Sequence, residues 1–267
     1  MFLMKKIVFI LISLCLLESC STVPITGRKR VNFVSDARVL PTSFQQYNDF
    51  LKENKISKDK EKIAELNTIG KNISLAVDLF MRSNKMIQEA DSYKWEFNLI
   101  ENEQLNAWCL PGGKVVFYTG ILPVAKNRDG IAAIMGHEIA HAFAKHGQER
   151  MSSSQLQQLG GLAIDYGTEK KNERDRKIWN AAYGLGSKVG MLKFSRRHET
   201  EADKLGMVFM IMAGYNPEEA VNVWIRMSQL GKSKTPEFLS THPSNKTRIQ
   251  TLREFLPEAK RLAKKYS

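Results

Sequence analysis

The sequence predicts an α+β fold, a small sheet embedded among many helices. Apolar residues recur at three- and four-residue spacing through roughly 58–90, and helical patterns resume in several segments from Asp129 onward. Between them lie two short strand-like runs, around Phe97 and Val116, beside a Pro111-Gly112-Gly113 turn. With 267 residues, 43% of them hydrophobic and 25% charged, the chain can bury a real core, and wholesale disorder is excluded. No run approaches the roughly 20 apolar residues needed to span a bilayer, which excludes a polytopic membrane protein.

The first residues read as an address label. Lys5 and Lys6 precede an apolar run from Ile7 to Leu17, and Leu17-Glu18-Ser19-Cys20 has the positions of a bacterial lipobox. Leu stands at minus three, a small Ser at minus one and Cys at the cleavage point; Glu18 departs from the usual small or aliphatic residue. The expectation is a signal peptide at 1–19 and lipidation at Cys20, with the chain anchored to a membrane by lipid. Ser21 after the Cys points to an outer-membrane lipoprotein facing the periplasm, since no Asp is there to retain it. Once Cys15 leaves with the signal and Cys20 carries lipid, Cys109 stands alone, so no internal disulfide is expected.

Residues 21–41 read as an extended arm, because Pro and Gly accompany the Val31-Asn32-Phe33-Val34 alternation. The arm occupies 20–45 and one domain occupies 46–267. Ile63, Leu66, Ile73, Val77 and Phe80 mark one long amphipathic helix over 58–90. Trp95, Phe97 and Leu99 alternate with polar residues as a strand, and Val115 to Tyr118 form another. Later helices are separated at Gly160-Gly161, Gly167, Gly214 to Pro217, and Thr241-His242-Pro243. Between 151 and 190 the chain predicts a hairpin of helices with an exposed charged tip at 169–177.

The chemistry lies in His137-Glu138-Ile139-Ala140-His141. Four helical residues advance about 400°, so His137 and His141 leave the same face and can share a metal, with Zn2+ the ion that imidazole nitrogen suits. Glu138 can then take a proton from an attacking water and pass it to the leaving amine. Flanking residues from Ile131 to Phe143 are apolar nearly all round, so the helix is buried, and buried histidines and a glutamate require partners. His146 fits no ligand spacing and reads as a solvated histidine at a helix end.

No G-x-x-H follows, which argues against a metzincin. Instead a second helix is expected to open at Ser195, carrying His198, Glu199, Glu201 and Asp203. Sequence alone leaves Glu199 and Glu201 as competitors for a third ligand. H-E-x-x-H followed by E-x-x-x-D resembles the CAAX prenyl endopeptidase and HtpX-like metallopeptidase family, in its lipoprotein or periplasmic members. Further matches are Pro24-Ile25-Thr26-Gly27-Arg28, Asn106 to Gly113, Tyr118-Thr119-Gly120 and Thr241-His242-Pro243.

The resemblance implies a mainly helical gluzincin-type metallopeptidase domain with a small sheet whose edge strand faces the active-site cleft. It makes Glu199 the third zinc ligand and Asp203, one turn on, the acceptor for a ligand imidazole. Glu201 points about 200° away and reads as a solvent carboxylate or a salt-bridge partner of Arg196 or Arg197. Asn106, Ala107 and Trp108 would lie along an extended substrate. Cys109 reads as a buried, inert thiol. Arg248 either steadies the oxyanion or forms a structural salt bridge. His242 is either a removable fourth ligand or a residue that orients substrate.

The implied function is zinc-dependent endoproteolysis of misfolded or misassembled envelope proteins. The rival reading is an assembly factor or chaperone that uses the same cleft to hold clients. The net charge of +12 invites a nucleic-acid or membrane reading, but its basic residues are scattered in pairs without a nucleic-acid fold signature, so no nucleic-acid partner is expected.

Overall fold

The computed structural model describes residues 20–169, 171–230, 242 and 246–266. The chain divides into two compact units. One comprises Met1–Arg38 with Lys145–His198, the other Val39–Ala144 with Glu199–Ser267.

In the first unit, β1 (Cys20–Thr22) pairs antiparallel with β2 (Lys29–Val31), the chain turning through Gly27 at φ +68. The extended reading of 21–41 ends early, since helix α1 (Asp36–Glu53) begins at Asp36 and carries Pro41 within it. From Val39 on, this helix belongs to the second unit, where Val39, Ser43 and Tyr47 are buried at a spacing of four, and that packing holds helix where composition suggests coil.

In the second unit, α2 (Lys60–Ser83) starts at Asp59, whose side chain accepts the Lys62 N–H. It buries Leu66, Ile69, Ile73, Val77 and Phe80. The single helix expected over 58–90 is two, because the chain closes after Ser83 and restarts as α3 (Ile87–Ser92). The Met86 N–H bonds back to the Met81 carbonyl and Lys85 sits at φ +63, a left-handed helix end usually marked by Gly. Lysine there leaves no signal in the sequence.

Strands β3 (Glu96–Ile100), β4 (Ala107–Leu110) and β5 (Lys114–Tyr118) form a sheet in the order β3-β5-β4. β3 runs parallel to β5 and β4 antiparallel, with Ala107 opposite Phe117. A short turn and α4 (Leu122–Ala125) lead into α5 (Arg128–Phe143), capped by Asn127 accepting the Gly130 N–H at 2.8 Å. As the sequence predicts, α5 is apolar on all sides because it is covered on all sides, packing on α2, β4 and the later helix α8.

After α6 (His146–Thr168), helix α7 runs unbroken over 40 residues, Glu173–Met212. Two expected boundaries are therefore absent: Gly160-Gly161 lies inside α6, and Ser195 opens no new helix, whereas Gly167 stands one residue before the end of α6. Gly160 serves close packing, since a Cβ there would fall 2.1 Å from the Tyr183 hydroxyl. The hairpin with a charged turn between α6 and α7 is as expected. α8 (Glu218–Gln229) and α9 (Lys246–Tyr266) complete the described elements.

The contact that positions the site is a crossing of two backbones. A Cβ on Gly136 of α5 would lie 2.8 Å from the Gly206 carbonyl oxygen, and one on Gly206 of α7 would lie 2.7 Å from the His137 nitrogen. Only glycine admits that approach. Gly206→Ala is expected to lower stability by about 1–3 kcal/mol and to weaken metal binding with it. Thermal unfolding and metal titration of the purified variant check this.

Candidate metal centre

α5 delivers His137 and His141 from one face, and α7 delivers Glu199 and Asp203, one turn apart, from across the glycine contact. His242 completes the group. One ligand atom from each of His137, His141, Glu199 and His242 lies within 4.8 Å of the others. His137 Nε2 is 3.1 Å from both His141 Nε2 and His242 Nδ1. Glu199 stands 2.8 Å from His242 Nδ1 and 3.4 Å from each of the other two imidazoles. A tetrahedron with zinc-like arms of about 2.0–2.1 Å has edges of about 3.3–3.4 Å, so these separations suit one small cation. Three imidazoles and a carboxylate converging in a buried space are a donor set that could hold a metal ion.

Behind this group sits a second layer. Asp203 Oδ1 is 3.0 Å from His137 Nδ1, so a proton on Nδ1 is shared with the carboxylate and the Nε2 lone pair turns to the cluster. Arg248, in the first turn of α9, grips Asp203 with two bonds of 2.5 and 2.7 Å and reaches Glu199 Oε2 at 3.3 Å. Its guanidinium lies 3.5 Å from the centre of the Trp224 ring. Of the two readings left open for Arg248, these contacts are those of a buried ion pair. In the sequence Trp224 is one apolar residue on the amphipathic α8, and only the stacking reveals it.

Burial would raise Asp203, but Arg248 outweighs it and holds the carboxyl below its ordinary value. Burial likewise opposes ionisation of Glu199, yet bonds from His137 and His242 keep it far below the usual range. Glu138 is the exception, pushed up to about 7, chiefly by burial. Its Oε1 is buried without a hydrogen-bond partner among the described residues, 3.6 Å from His242 Nε2. An unpartnered buried carboxylate oxygen beside a metal-ligand set is placed to take a proton.

Other expected residues are distributed differently. β4 is an edge of its sheet and packs on α5. Ala107 is buried, and the Asn106 carbonyl accepts the Tyr118 N–H at 3.0 Å. The Trp108 side chain packs edge-on against Phe50 at 4.9 Å, on the sheet face opposite Ala107 and Cys109, so its ring takes no part in the metal site. Burial, and then the Glu138 carboxylate, raise the Cys109 thiol, consistent with an inert role. His146 is not solvated. It is 1% exposed at the start of α6 and stacks on His198 at 4.1 Å. His198 in turn bonds to Glu149, which also holds Arg28 through two bonds. Burial would raise Glu149, but these partners outweigh it and hold it at about 2. Glu201 is buried too, not a solvent carboxylate, because the helix face it occupies is covered. Cys20 heads β1, and the signal at 1–19 lies outside the described residues.

Asp203→Asn keeps the shape but weakens the hold on His137. Metal affinity is expected to fall by about 10–100-fold with the fold retained, measured by competition with a chromophoric chelator alongside circular dichroism.

Similarity to known proteins agrees with this geometry. The model of peptidase family M48 matches residues 76–256. The mitochondrial metalloendopeptidase OMA1 of Schizosaccharomyces pombe is 38% identical over 170 residues, 62% of this chain and 48% of that protein. The human mitochondrial metalloendopeptidase OMA1 is 27% identical over 244 residues, 88% of this chain and 46% of that protein. The beta-barrel assembly-enhancing protease of Escherichia coli is 25% identical over 177 residues, 63% of this chain and 36% of that protein. The chain thus spans about half, or less, of these relatives' length. They also correct the expected localisation. Relatives named mitochondrial match at 38% and 35%, above the 25% of the bacterial protease, so placement as an outer-membrane lipoprotein facing the periplasm does not stand. A four-residue lipobox with one departure carries far less information than 170 aligned residues. The matched segment contains His137, Glu138, His141, Glu199 and Asp203, and the chain belongs to peptidase family M48, carrying a metallopeptidase domain.

Proposed function

We propose that the chain is a zinc metalloendopeptidase that cleaves unfolded or misassembled proteins. The observation that carries this reading is the buried Glu138 Oε1, without a hydrogen-bond partner among the described residues, beside a four-residue donor cluster. A zinc ion held by His137, His141 and Glu199 would supply Lewis acidity toward a peptide carbonyl and acidify water. The remaining work falls to the chain's own groups. Glu138 takes the proton of the attacking water and delivers it to the departing amine nitrogen. Asp203 keeps the His137 ring in place, and Arg248 neutralises Asp203 so that its charge does not burden the site.

Substrate recognition follows from β4. Among the described residues it pairs with β5 on one side only, which supports an extended client adding along its other edge through Asn106, Ala107 and Trp108. Main-chain pairing ignores side-chain identity, which suits a protease for unfolded chains. Relatives named as metalloendopeptidases and as an assembly-enhancing protease agree with this reading.

Glu138→Gln is expected to keep zinc and fold while losing hydrolysis by about 10²–10⁴-fold, read on casein with zinc measured by atomic absorption. Near wild-type cleavage by that variant would end the mechanism. Client binding that persists with undiminished biological activity would favour the holding role instead.

His242 adds a regulatory element to the proposal. Its Nδ1 stands within the donor cluster, 2.8 Å from Glu199, and its Nε2 faces Glu138. As a removable fourth ligand it fills the position a substrate and water need. His242→Ala is then expected to raise proteolysis or self-cleavage several-fold with zinc retained. Reduced cleavage by a zinc-loaded, folded variant would make His242 a catalytic helper.

A further inference from the structure

The hairpin of α6 and α7 is built inside out. On α6, Leu159, Leu162 and Tyr166 follow helical spacing and are 61%, 65% and 81% exposed. On α7, Ile178, Leu185 and Leu192 recur every seven residues, each more than half exposed. Between Gln157 and Asp165 the helices face each other through polar and small residues, whereas further from the turn Leu156, Met191 and Phe194 line a groove between them. The Tyr183 hydroxyl donates to the Gln157 carbonyl at 2.7 Å, and the Gln157 amide donates to Ser187 at 2.9 Å. Asn180 donates to Asp165 at 2.8 Å, while Gly160 accepts the Tyr183 ring. Leu159 and Gln157 are two residues apart, as are Leu185 and Tyr183. That is about 200° around a helix, so each apolar stripe lies on the side away from the partner helix.

In water the opposite arrangement is favoured, with leucines between the helices and amides outside. In hydrocarbon, small and polar residues join helices while apolar side chains face the lipid. Charge follows the same logic. No charged residue occurs from Met151 to Ile164, nor from Ile178 to Ser187. The sequence from 169 to 177, which reaches into the start of α7, holds five basic and three acidic residues, and Tyr166 and Trp179 flank it, where aromatic rings sit at headgroup level. No described helix is long and apolar enough to cross a membrane.

We propose that the α6–α7 hairpin inserts into the interfacial layer of a lipid bilayer through its outward apolar stripes, with the basic turn among anionic headgroups. A single protein partner would cover one side of the hairpin, whereas both outer sides are apolar, which selects a lipid medium. The reading is independent of the proposed proteolysis.

The test uses the full chain with vesicles of phosphatidylcholine and phosphatidylglycerol whose acyl chains are brominated. Trp179 emission is expected to be quenched, and the quenched component to vanish in Trp179→Phe. Leu159→Gln/Leu162→Gln/Leu185→Gln should weaken that quenching about tenfold, and Leu185→Gln alone several-fold, with zinc content and helicity unchanged. The single variant keeps the test valid if the triple variant does not fold. Absence of Trp179 quenching in the presence of vesicles overturns the proposal, as does quenching unaltered by Leu185→Gln. So does a wild-type chain that self-associates without vesicles through a surface that Leu185→Gln abolishes.

Discussion

Two glycines let the backbones of α5 and α7 touch, and the metal centre follows from that contact. Gly136 immediately precedes His137, and Gly206 follows Asp203 by three residues, so the crossing lies directly behind the ligands. Helices normally pack with axes about 8–10 Å apart. At that distance two imidazoles from one helix and a carboxylate from another are harder to bring within about 3 Å. Replacing either hydrogen by a methyl group puts atoms inside one another, which is why a side chain's absence is as much a part of the site as the ligands.

Charge balance supplies the second constraint. Glu138, Glu199 and Asp203 are all buried in one region, and three carboxylates there would be costly alone. Arg248 pairs with two of them, and its flat face is covered by Trp224. Glu138 has no such partner, and its carboxyl rises accordingly. The arrangement separates the carboxylates by environment: Glu199 and Asp203 are held ionised by their partners, whereas burial pushes Glu138 up to about 7.

The helices beyond this core obey a different rule. α5 is apolar around its circumference because protein surrounds it, whereas α6 and the first half of α7 turn their leucines outward and hold each other through amides, hydroxyls and glycine. Composition alone does not separate these cases. Both stretches contain Ile, Ala and Gly, and only knowledge of which face meets a neighbour tells a buried helix from an inverted one.

The sequence by itself determined the chemistry and the class of fold. His137, Glu138 and His141 are local, set by the pitch of one helix, and the strand periods around Phe97 and Val116 are equally local. Glu199 and Asp203 are legible only through resemblance, because their distance from His137 spans more than 60 residues and no helical period reports it. Tertiary structure decided the rest. It ended α2 at a left-handed lysine, carried α6 through Gly160-Gly161, buried His146 and Glu201, and turned the Trp108 ring toward Phe50. It also paired Arg248 with Asp203 across 45 residues. Each of these depends on which surface another segment covers, and burial by a distant segment leaves no periodic trace in the residues it covers.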